Sequence, residues 1–379
     1  MEGTVVFPYE PVLQVRGPIL QAQIIETALL NAFNFQTLIA TKASRICAAA
    51  NCPVSEFGLR RAQGYAGGVW ASRAAVVGGC SSTSNVVAGK MFDIPISGTH
   101  AHSWVMAFDD ELSAFRAYAA EFPNNCVLLV DTYDIVQGIK NAITVGLEMK
   151  ERGEKLFAIR IDSGDLTWLS KTARKMLDEA GLQDCGIILS NDLDEYSIKS
   201  IKAEGGVFSG LGVGTKLITA YDQPALGGVY KLSAIKKTGE SEWSPQMKVS
   251  ESFQKTTIPG VMNVRRFVDE KGKLAGDMVY DVNMGIDETS TIVDPLDILR
   301  QKKLSGYSHF DILQPLFENG KFVGKKVGTL EAQKIAKDGL NTLDETQKRT
   351  LNPHTYPVGL EHSLSIKRTK MIAELRGIQ

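Results

Sequence analysis

The sequence is poor in the features that mark membrane-embedded and nucleic-acid-binding proteins. No apolar run approaches the ~20 residues that a membrane-spanning helix needs, and strand-like sequence rather than a basic and apolar leader follows Met1. Positive and negative side chains nearly cancel, with a formal net charge of -1. This balance gives no electrostatic reason to expect nucleic acid or a membrane surface as the main partner. We therefore expect a cytoplasmic protein.

Cysteine and histidine are scarce. The five cysteines are an odd number scattered through apolar contexts, which predicts reduced, mostly buried thiols rather than a disulfide framework. Two of the five histidines, His100 and His102, lie in one short stretch, residues 97–104. That stretch follows the apolar run at residues 91–96, so it reads as the end of a buried strand that turns into a helix.

A repeated unit indicates the fold class. From about residue 54, short apolar runs end in Gly, Ser, Asn or Asp and are followed by helix-like segments, which is typical of a parallel barrel or a doubly wound sheet. The polar residues at the carboxyl ends of the strands mark one rim as the functional face. The predicted strand ends are residues 57–60, 77–79, 96–98, 129–131, 159–162, 189–191 and 210–214.

The two ends of the chain differ from this pattern. Residues 4–7 and 12–15 predict two short strands, and a long helical pattern runs from Pro18 to about Ala50. After Tyr230 the sequence predicts a second, β-rich layer, with hairpin turns near residues 236–239 and 267–272.

The histidine pair allows three interpretations. On an extended backbone both rings would point the same way and could bind one metal ion, although the other histidines lie after the repeated units. A histidine at a strand end can also simply fix a loop by hydrogen bonding. The third possibility is a reactive or phosphate-handling histidine at the mouth of a barrel. These residues alone leave all three open.

Four other strand ends point to an anionic ligand. Arg160 and Asp162 project to the same side of one strand, where they form either a structural ion pair or, with the amides of residues 163–165, an anion site. The glycine-rich run 210–215 and the stretch 189–192 are candidates for a phosphate site. Phe57 with Arg60 suits a flat anionic ring, although Phe57 fits the core equally well.

Together these stretches resemble the nicotinate phosphoribosyltransferase family. Six of them occur in the family's order, at residues 57–64, 81–89, 98–103, 159–165, 189–192 and 210–215, and the resemblance covers essentially the whole chain. It implies an irregular parallel α/β barrel at residues 53–235, joined to a β-rich sandwich domain built from both chain ends, residues 1–52 and 236–379. It also implies that nicotinate and 5-phosphoribosyl 1-diphosphate react to give nicotinate mononucleotide and diphosphate in NAD biosynthesis, coupled to ATP and with Mg²⁺, in a homodimer.

The resemblance also assigns residues. It implies that His102 is the histidine that ATP transiently phosphorylates and that His100 is only its neighbour. It also implies that Arg160 holds the pyridine ring and its acidic group, and that Asp162 lies near the ring and the ribose. Phe57 would stack on that ring. The remaining implied contacts are to the phosphoribosyl and diphosphate groups for Arg60 and Asn85, and to the 5′-phosphate for Ser190, Asn191, Gly212, Gly214 and Thr215.

Two alternatives accompany this interpretation. One is a relative that uses nicotinamide. The other alternative concerns the start of the chain. The resemblance implies a segment before the strand that begins here at Glu2, and a tyrosine of that segment stacks on the base in the neighbouring subunit. Since that segment is expected but does not precede Glu2, a shortened, non-catalytic dimerisation or binding subunit is the second alternative.

Overall fold

Two compact units make up the chain in the computed structural model, which describes residues 1–251 and 256–378. The terminal unit consists of Met1–Ala32, Gly227–Val327 and Lys334–Gln379, and the barrel unit of Phe33–Leu226 and Gly328–Gln333. The boundaries proposed at residues 53 and 235 stay a prediction. Among the described residues, no helix combines the length and apolar character that a membrane span requires.

Helices and strands alternate through the first half of the chain, whereas strands dominate the second. The helices are α1 (Ile19–Ile24), α2 (Glu26–Ala50), α3 (Tyr65–Val77), α4 (Val86–Phe92), α5 (His102–Met106), α6 (Glu111–Glu121), α7 (Ile135–Glu151), α8 (Leu166–Glu179), α9 (Glu195–Ala203), α10 (Thr215–Ile218), α11 (Thr329–Thr342) and α12 (His362–Arg376), with a 3₁₀ turn at Leu59–Arg61. The strands are β1 (Val54–Glu56), β2 (Ser82–Thr83), β3 (Cys126–Leu129), β4 (Leu156–Ile161), β5 (Gly186–Ser190), β6 (Gly210–Val213), β7 (Ala234–Ile235), β8 (Ser244–Pro245), β9 (Met262–Val268), β10 (Leu274–Asp281), β11 (Thr291–Val293), β12 (Gln301–Lys303), β13 (Ser308–Asp311), β14 (Phe317–Glu318), β15 (Lys321–Phe322) and β16 (Val358–Glu361).

The barrel unit is built on one parallel sheet, in the order β2-β1-β6-β5-β4-β3. The sheet is an open half-barrel, with β2 and β3 as its edges. Its strands are apolar because helices cover them: Leu128, Ile159 and Leu189 are completely buried. All six carboxyl ends lie on one rim. The predicted irregular α/β barrel is thus confirmed.

Two predicted strand ends of the barrel are wrong. Residues 77–79 end α3, because the preceding Ala-rich sequence favours a helix, and Gly78 lets α2 approach: a Cβ there would lie 2.3 Å from the Ala40 carbonyl oxygen. In the run 91–96, α4 continues to Phe92 and only Ile96 forms a bridge, with Thr83.

The terminal unit contains a sheet in the order β12-β11-β16-β10-β9-β13, so the predicted β-rich layer is confirmed. The antiparallel pair β9–β10 has its turn at residues 269–272, as predicted, with Gly272 at a φ of 75°. The short pair β7–β8 flanks the predicted turn at 236–239. The predicted strands at 4–7 and 12–15 are wrong, since neither stretch joins a ladder. The predicted helix from Pro18 is divided at Ile25 into α1 and α2.

Hydrogen bonds and ring packing hold the first residues of the chain on this sheet. The Phe7 ring stacks on Tyr356 with centroids 3.8 Å apart, and the Phe7 N–H donates to Glu10 Oε2 at 3.0 Å. Glu10 lies beside the fully buried Asp277, which binds Arg266 at 2.6 Å. Burial and then the Asp277 carboxylate raise the pKa of Glu10 to about 9, so Glu10 is protonated at neutral pH and can donate to Asp277.

This pair predicts how stability depends on pH. An unfolded Glu has a pKa of about 4.3. Because the folded pKa is raised to about 9, the stabilisation from Glu10 is complete below the unfolded value and is lost as pH rises toward 9. Glu10→Gln keeps the donor without ionising. Between pH 6 and 9 the parent should therefore lose free energy of unfolding relative to Glu10→Gln, by up to about 1.4 kcal/mol per pH unit.

Urea denaturation at several pH values measures this difference. Glu270→Gln, in an exposed turn, is the matched control and should follow the parent. Parallel curves for the parent and Glu10→Gln would show that Glu10 is ionised in the folded protein.

Candidate active site

The guanidinium of Arg160 is the centre of a polar cluster at the rim of the barrel. Its Nε donates to Ser190 Oγ and its Nη1 to Thr99 Oγ1, both at 2.8 Å, and its Nη2 donates to Asp162 Oδ1 at 2.9 Å. Three of the five guanidinium N–H groups are thereby used within the described protein. One N–H on each terminal nitrogen remains for a ligand, an arrangement that suits an anion.

An aromatic ring lies against this cluster. The guanidinium carbon of Arg160 is 5.2 Å from the centroid of the Phe57 ring, within cation–π distance. This gap is too narrow for another ring to lie between them, so a flat ligand would use a different part of the Phe57 surface. A Cβ on Gly212 would lie 2.6 Å from two Phe57 ring carbons. Only glycine at position 212 therefore permits this position of the ring.

The candidate phosphate-binding residues divide into exposed and buried groups. Asn191 is exposed and has a φ of 97°, an unfavourable conformation for a non-glycine residue that is often found at functional sites. Gly214 and Thr215 are half-buried at the end of β6. Ser190, in contrast, is 2% exposed, and its hydroxyl accepts from Arg160 and donates to Asp162.

A buried carboxylate at the end of β1 binds residues of three neighbouring segments, namely α3, β2 and the turn after β1. Glu56 is completely buried and accepts from Ser72 Oγ at 2.8 Å, from Thr83 Oγ1 at 2.6 Å and from the Gly58 N–H. Asn85 is 1% exposed and caps α4, accepting from Ala88 N–H at 3.2 Å. Glu56 thus fixes the turn that follows Phe57 from beneath.

Two further charged residues, Arg60 and Asp131, lie on the loops that follow β1 and β3. Arg60 lies exposed in the 3₁₀ turn after β1 and is not part of the Arg160 cluster. Asp131 follows β3, and its Oδ2 accepts from Ser163 Oγ at 2.6 Å and from Asp162 N–H at 3.2 Å. The other oxygen, Oδ1, is buried and makes no hydrogen bond to the described residues.

The two histidines occupy different environments. His100 is 7% exposed, and its Nε2 accepts from the Leu129 N–H at 3.1 Å. Burial lowers the pKa of His100 to about 4, so its ring is neutral at physiological pH. His102 is half-buried and begins α5; its Nδ1 lies 3.2 Å from Thr132 Oγ1, and its Nε2 makes no hydrogen bond to the described residues.

The structure therefore brings together Phe57, Arg160, Asp162, Ser190 and Gly212, as neighbouring parallel strand ends predict. Four further residues at this rim, Glu56, Thr99, Asp131 and Thr132, are not among the site residues that the sequence predicts. A charged residue within a short, otherwise uncharged strand was the available signal for Glu56, and the strand-end position was the signal for Asp131. Among the described residues, no group of three or more His, Cys, Asp or Glu side chains has the arrangement of a metal site.

Comparison with known proteins gives a consistent result. Residues 52–282 match the Nicotinate phosphoribosyltransferase (NAPRTase) family, and residues 262–367 match the Nicotinate phosphoribosyltransferase C-terminal domain. The chain is 44% identical over 380 residues to a nicotinate phosphoribosyltransferase of Bacillus subtilis (strain 168), across 99% of this chain and 77% of the relative.

Solved structures agree with these sequence matches. The crystal structure of human nicotinic acid phosphoribosyltransferase matches with a TM-score of 0.81 and 27% identity, over 97% of this chain and 81% of that chain. A nicotinate-nucleotide pyrophosphorylase from Pyrococcus furiosus matches with a TM-score of 0.67 and 25% identity, over 89% of this chain and 78% of that chain. The motif resemblance is confirmed, and this chain belongs to the nicotinate phosphoribosyltransferase family.

Proposed function

We propose that this chain joins nicotinate to 5-phosphoribosyl 1-diphosphate, giving nicotinate mononucleotide and diphosphate in NAD biosynthesis, with ATP as co-substrate. The observation that carries the proposal is the Arg160 cluster, which places a guanidinium with unused N–H groups beside the Phe57 ring. Nicotinate is a flat ring with a carboxylate, and these two groups match its two parts.

Positioning and electrostatics account for the transfer step. Arg160 would bind the nicotinate carboxylate and Phe57 would stack on the pyridine ring, so that the ring nitrogen faces C1 of the ribose. The new N–C1 bond forms as the bond from C1 to the diphosphate oxygen breaks, and the electron pair leaves with diphosphate. Positive charge develops on the ribose during this step, and the nearby Asp162 carboxylate would stabilise it.

The phosphate groups would lie along the exposed part of the rim. Asn191, Gly214 and Thr215 would hold the 5′-phosphate, and Arg60 would contact the diphosphate. Direct substrate contacts by the buried residues Ser190, Gly212 and Asn85 stay a prediction.

The residues present fit Mg²⁺ carried in with the diphosphate. Mg²⁺ typically uses one or two protein carboxylates together with substrate phosphates rather than an all-protein cage. Asp131 offers a buried oxygen without a partner among the described residues, beside the segment that carries Asp162. These two carboxylates would hold the ion, which when bound neutralises charge on the departing diphosphate.

His102 is the proposed nucleophile toward ATP. With Nδ1–H donating to Thr132 Oγ1, the lone pair of Nε2 is available to attack the γ-phosphorus. An N–P bond then forms while the bond between the γ-phosphorus and the bridging oxygen breaks, and ADP leaves. Hydrolysis of the phosphohistidine would couple ATP to the transfer reaction.

Replacing His102 tests this assignment. His102→Asn should lower acid-labile phosphate incorporation from γ-labelled ATP by about 100-fold or more, because the attacking nitrogen is removed. His100→Asn should keep measurable incorporation. Slow, ATP-independent transfer should survive in His102→Asn, because the Arg160 cluster remains. Uptake by His102→Asn at the parent level, or complete loss in His100→Asn alone, would refute the assignment.

The choice of base tests the role of Arg160. Charge-assisted hydrogen bonds contribute about 2–3 kcal/mol, so kcat/KM for nicotinate should exceed that for nicotinamide by about 30- to 150-fold. Arg160→Gln should reduce the ratio of kcat/KM for nicotinate to kcat/KM for nicotinamide. Faster turnover of nicotinamide by the parent would favour the nicotinamide-using alternative, and no turnover of either base would favour a non-catalytic subunit.

The contact between Phe57 and Gly212 predicts a third result. Gly212→Ala must displace the Phe57 ring, which should raise KM for nicotinate about tenfold and change kcat less. Gly210→Ala is the matched control on the same strand, because the nearest atom to its Cβ would be at an ordinary 3.7 Å. Equal kinetics for the two variants would mean that Phe57 does not stack on the base.

We also propose a cytoplasmic homodimer. Val86, Met91 and Ile96 are 65%, 59% and 57% exposed, respectively, and supply apolar surface for a second copy. The five free cysteines suit a reducing compartment. Light scattering coupled to size-exclusion chromatography measures the oligomeric state.

A further inference from the structure

The edge strand β3 has a buried hydrogen-bond donor, the Leu129 N–H, that no strand accepts. Successive N–H groups of a strand alternate in direction, and the Val130 N–H donates to the Arg160 carbonyl of β4 at 3.1 Å. The Leu129 N–H therefore points away from β4, out of the open side of the sheet. A buried donor at this place costs stability unless it finds an acceptor. The acceptor is His100 Nε2, at 3.1 Å.

The segment 97–100 crosses the opening of the half-barrel. At its start, the Ser97 N–H donates to the Thr83 carbonyl oxygen of β2 at 3.0 Å. At its end, His100 accepts from Leu129 on β3. The two edges of the sheet are thus connected through this crossing segment, and the connection to β3 is a side-chain hydrogen bond rather than a strand ladder.

The surroundings of His100 suit this role. Its ring packs edge-on against Tyr118, with centroids 4.8 Å apart, and its Nδ1 lies 3.4 Å from the Ala101 carbonyl oxygen. A neutral imidazole with its proton on Nδ1 satisfies both contacts and leaves Nε2 as an acceptor. An open depression lined by His100, Trp104 and Tyr118 adjoins the ring.

We propose that His100 is a positioning residue that joins the crossing segment to β3 and thereby sets His102 opposite Thr132. This inference rests on the proposed function, in which His102 takes phosphate from ATP. His102 lies two residues after His100 and Thr132 three residues after Leu129, so the bond between His100 and Leu129 joins the two segments that carry the nucleophile and its partner, close to their own contact. Without it, the start of α5 can shift relative to the loop after β3, while Arg160 keeps its bonds to Asp162 and Ser190.

The test separates phosphorylation from product binding. His100→Leu removes the acceptor, whereas the side-chain oxygen of His100→Gln reaches about as far as Nε2 and can still accept from Leu129. We expect His100→Leu to lower the rate of phosphate incorporation at His102 about tenfold, the effect of one hydrogen bond, and His100→Gln to restore most of it. The Kd for nicotinate mononucleotide, measured by calorimetry, should change less than about twofold in both variants.

A second change removes the donor rather than the acceptor. Leucic acid incorporated at position 129 replaces the N–H with an ester oxygen and leaves His100 intact. It should lower phosphate incorporation to a similar degree, and His100→Leu in that background should add little further loss. It also provides the measurement if His100→Leu does not fold.

Two results would overturn the inference. One is a parent-like rate of incorporation when either partner is removed, and the other is an equal loss of incorporation and nucleotide binding, which indicates general structural damage. Parent-like incorporation by His102→Asn would instead contradict the proposed function and is distinguishable from both.

Discussion

The geometry of the site depends on how the guanidinium of Arg160 is held. Its side chain is only 15% exposed, and a buried cation is tolerated only when its donors are satisfied. Thr99, Asp162 and Ser190 come from different segments of the barrel rim, and each accepts a hydrogen bond from a different nitrogen of the planar guanidinium. A lysine could not replace this arrangement, because its single ammonium cannot bind three fixed partners in one plane. The residues that bury Arg160 therefore also orient its remaining N–H groups.

Buried carboxylates organise the loops around this cluster. The Glu56 carboxylate accepts hydrogen bonds from three neutral donors, namely two hydroxyls and one backbone N–H. Asp131 fixes the start of the next loop through Ser163 and the backbone of Asp162. Such networks hold strand-end loops in one conformation before a ligand arrives, which reduces the ordering cost of binding. Asp277 in the terminal unit is different, because Arg266 neutralises its charge directly.

The parts of this structure that follow from local sequence were predictable. The apolar run of β4 ends at Ile161, and Asp165, a residue type favoured at helix N-caps, caps α8 by accepting from Trp168 N–H at 3.0 Å. Residues 4–7 have strand propensity but no ladder, because pairing depends on distant partners that a single segment does not specify. The partners of Glu56 could not be predicted for the same reason, because Ser72 and Thr83 are 16 and 27 residues away along the chain.

The histidine pair shows where periodicity stops being informative. The rule that alternate residues share a face holds only within an extended segment, and the backbone changes from extended at Ala101 to helical at His102. The two side chains consequently bind different parts of the same strand-loop region: His100 accepts from Leu129 in β3, and His102 contacts Thr132 in the loop after it. In a closed barrel, a strand ladder would satisfy the Leu129 N–H. Because the barrel is open, the His100 side chain accepts this hydrogen bond instead, and His102 lies next to that link.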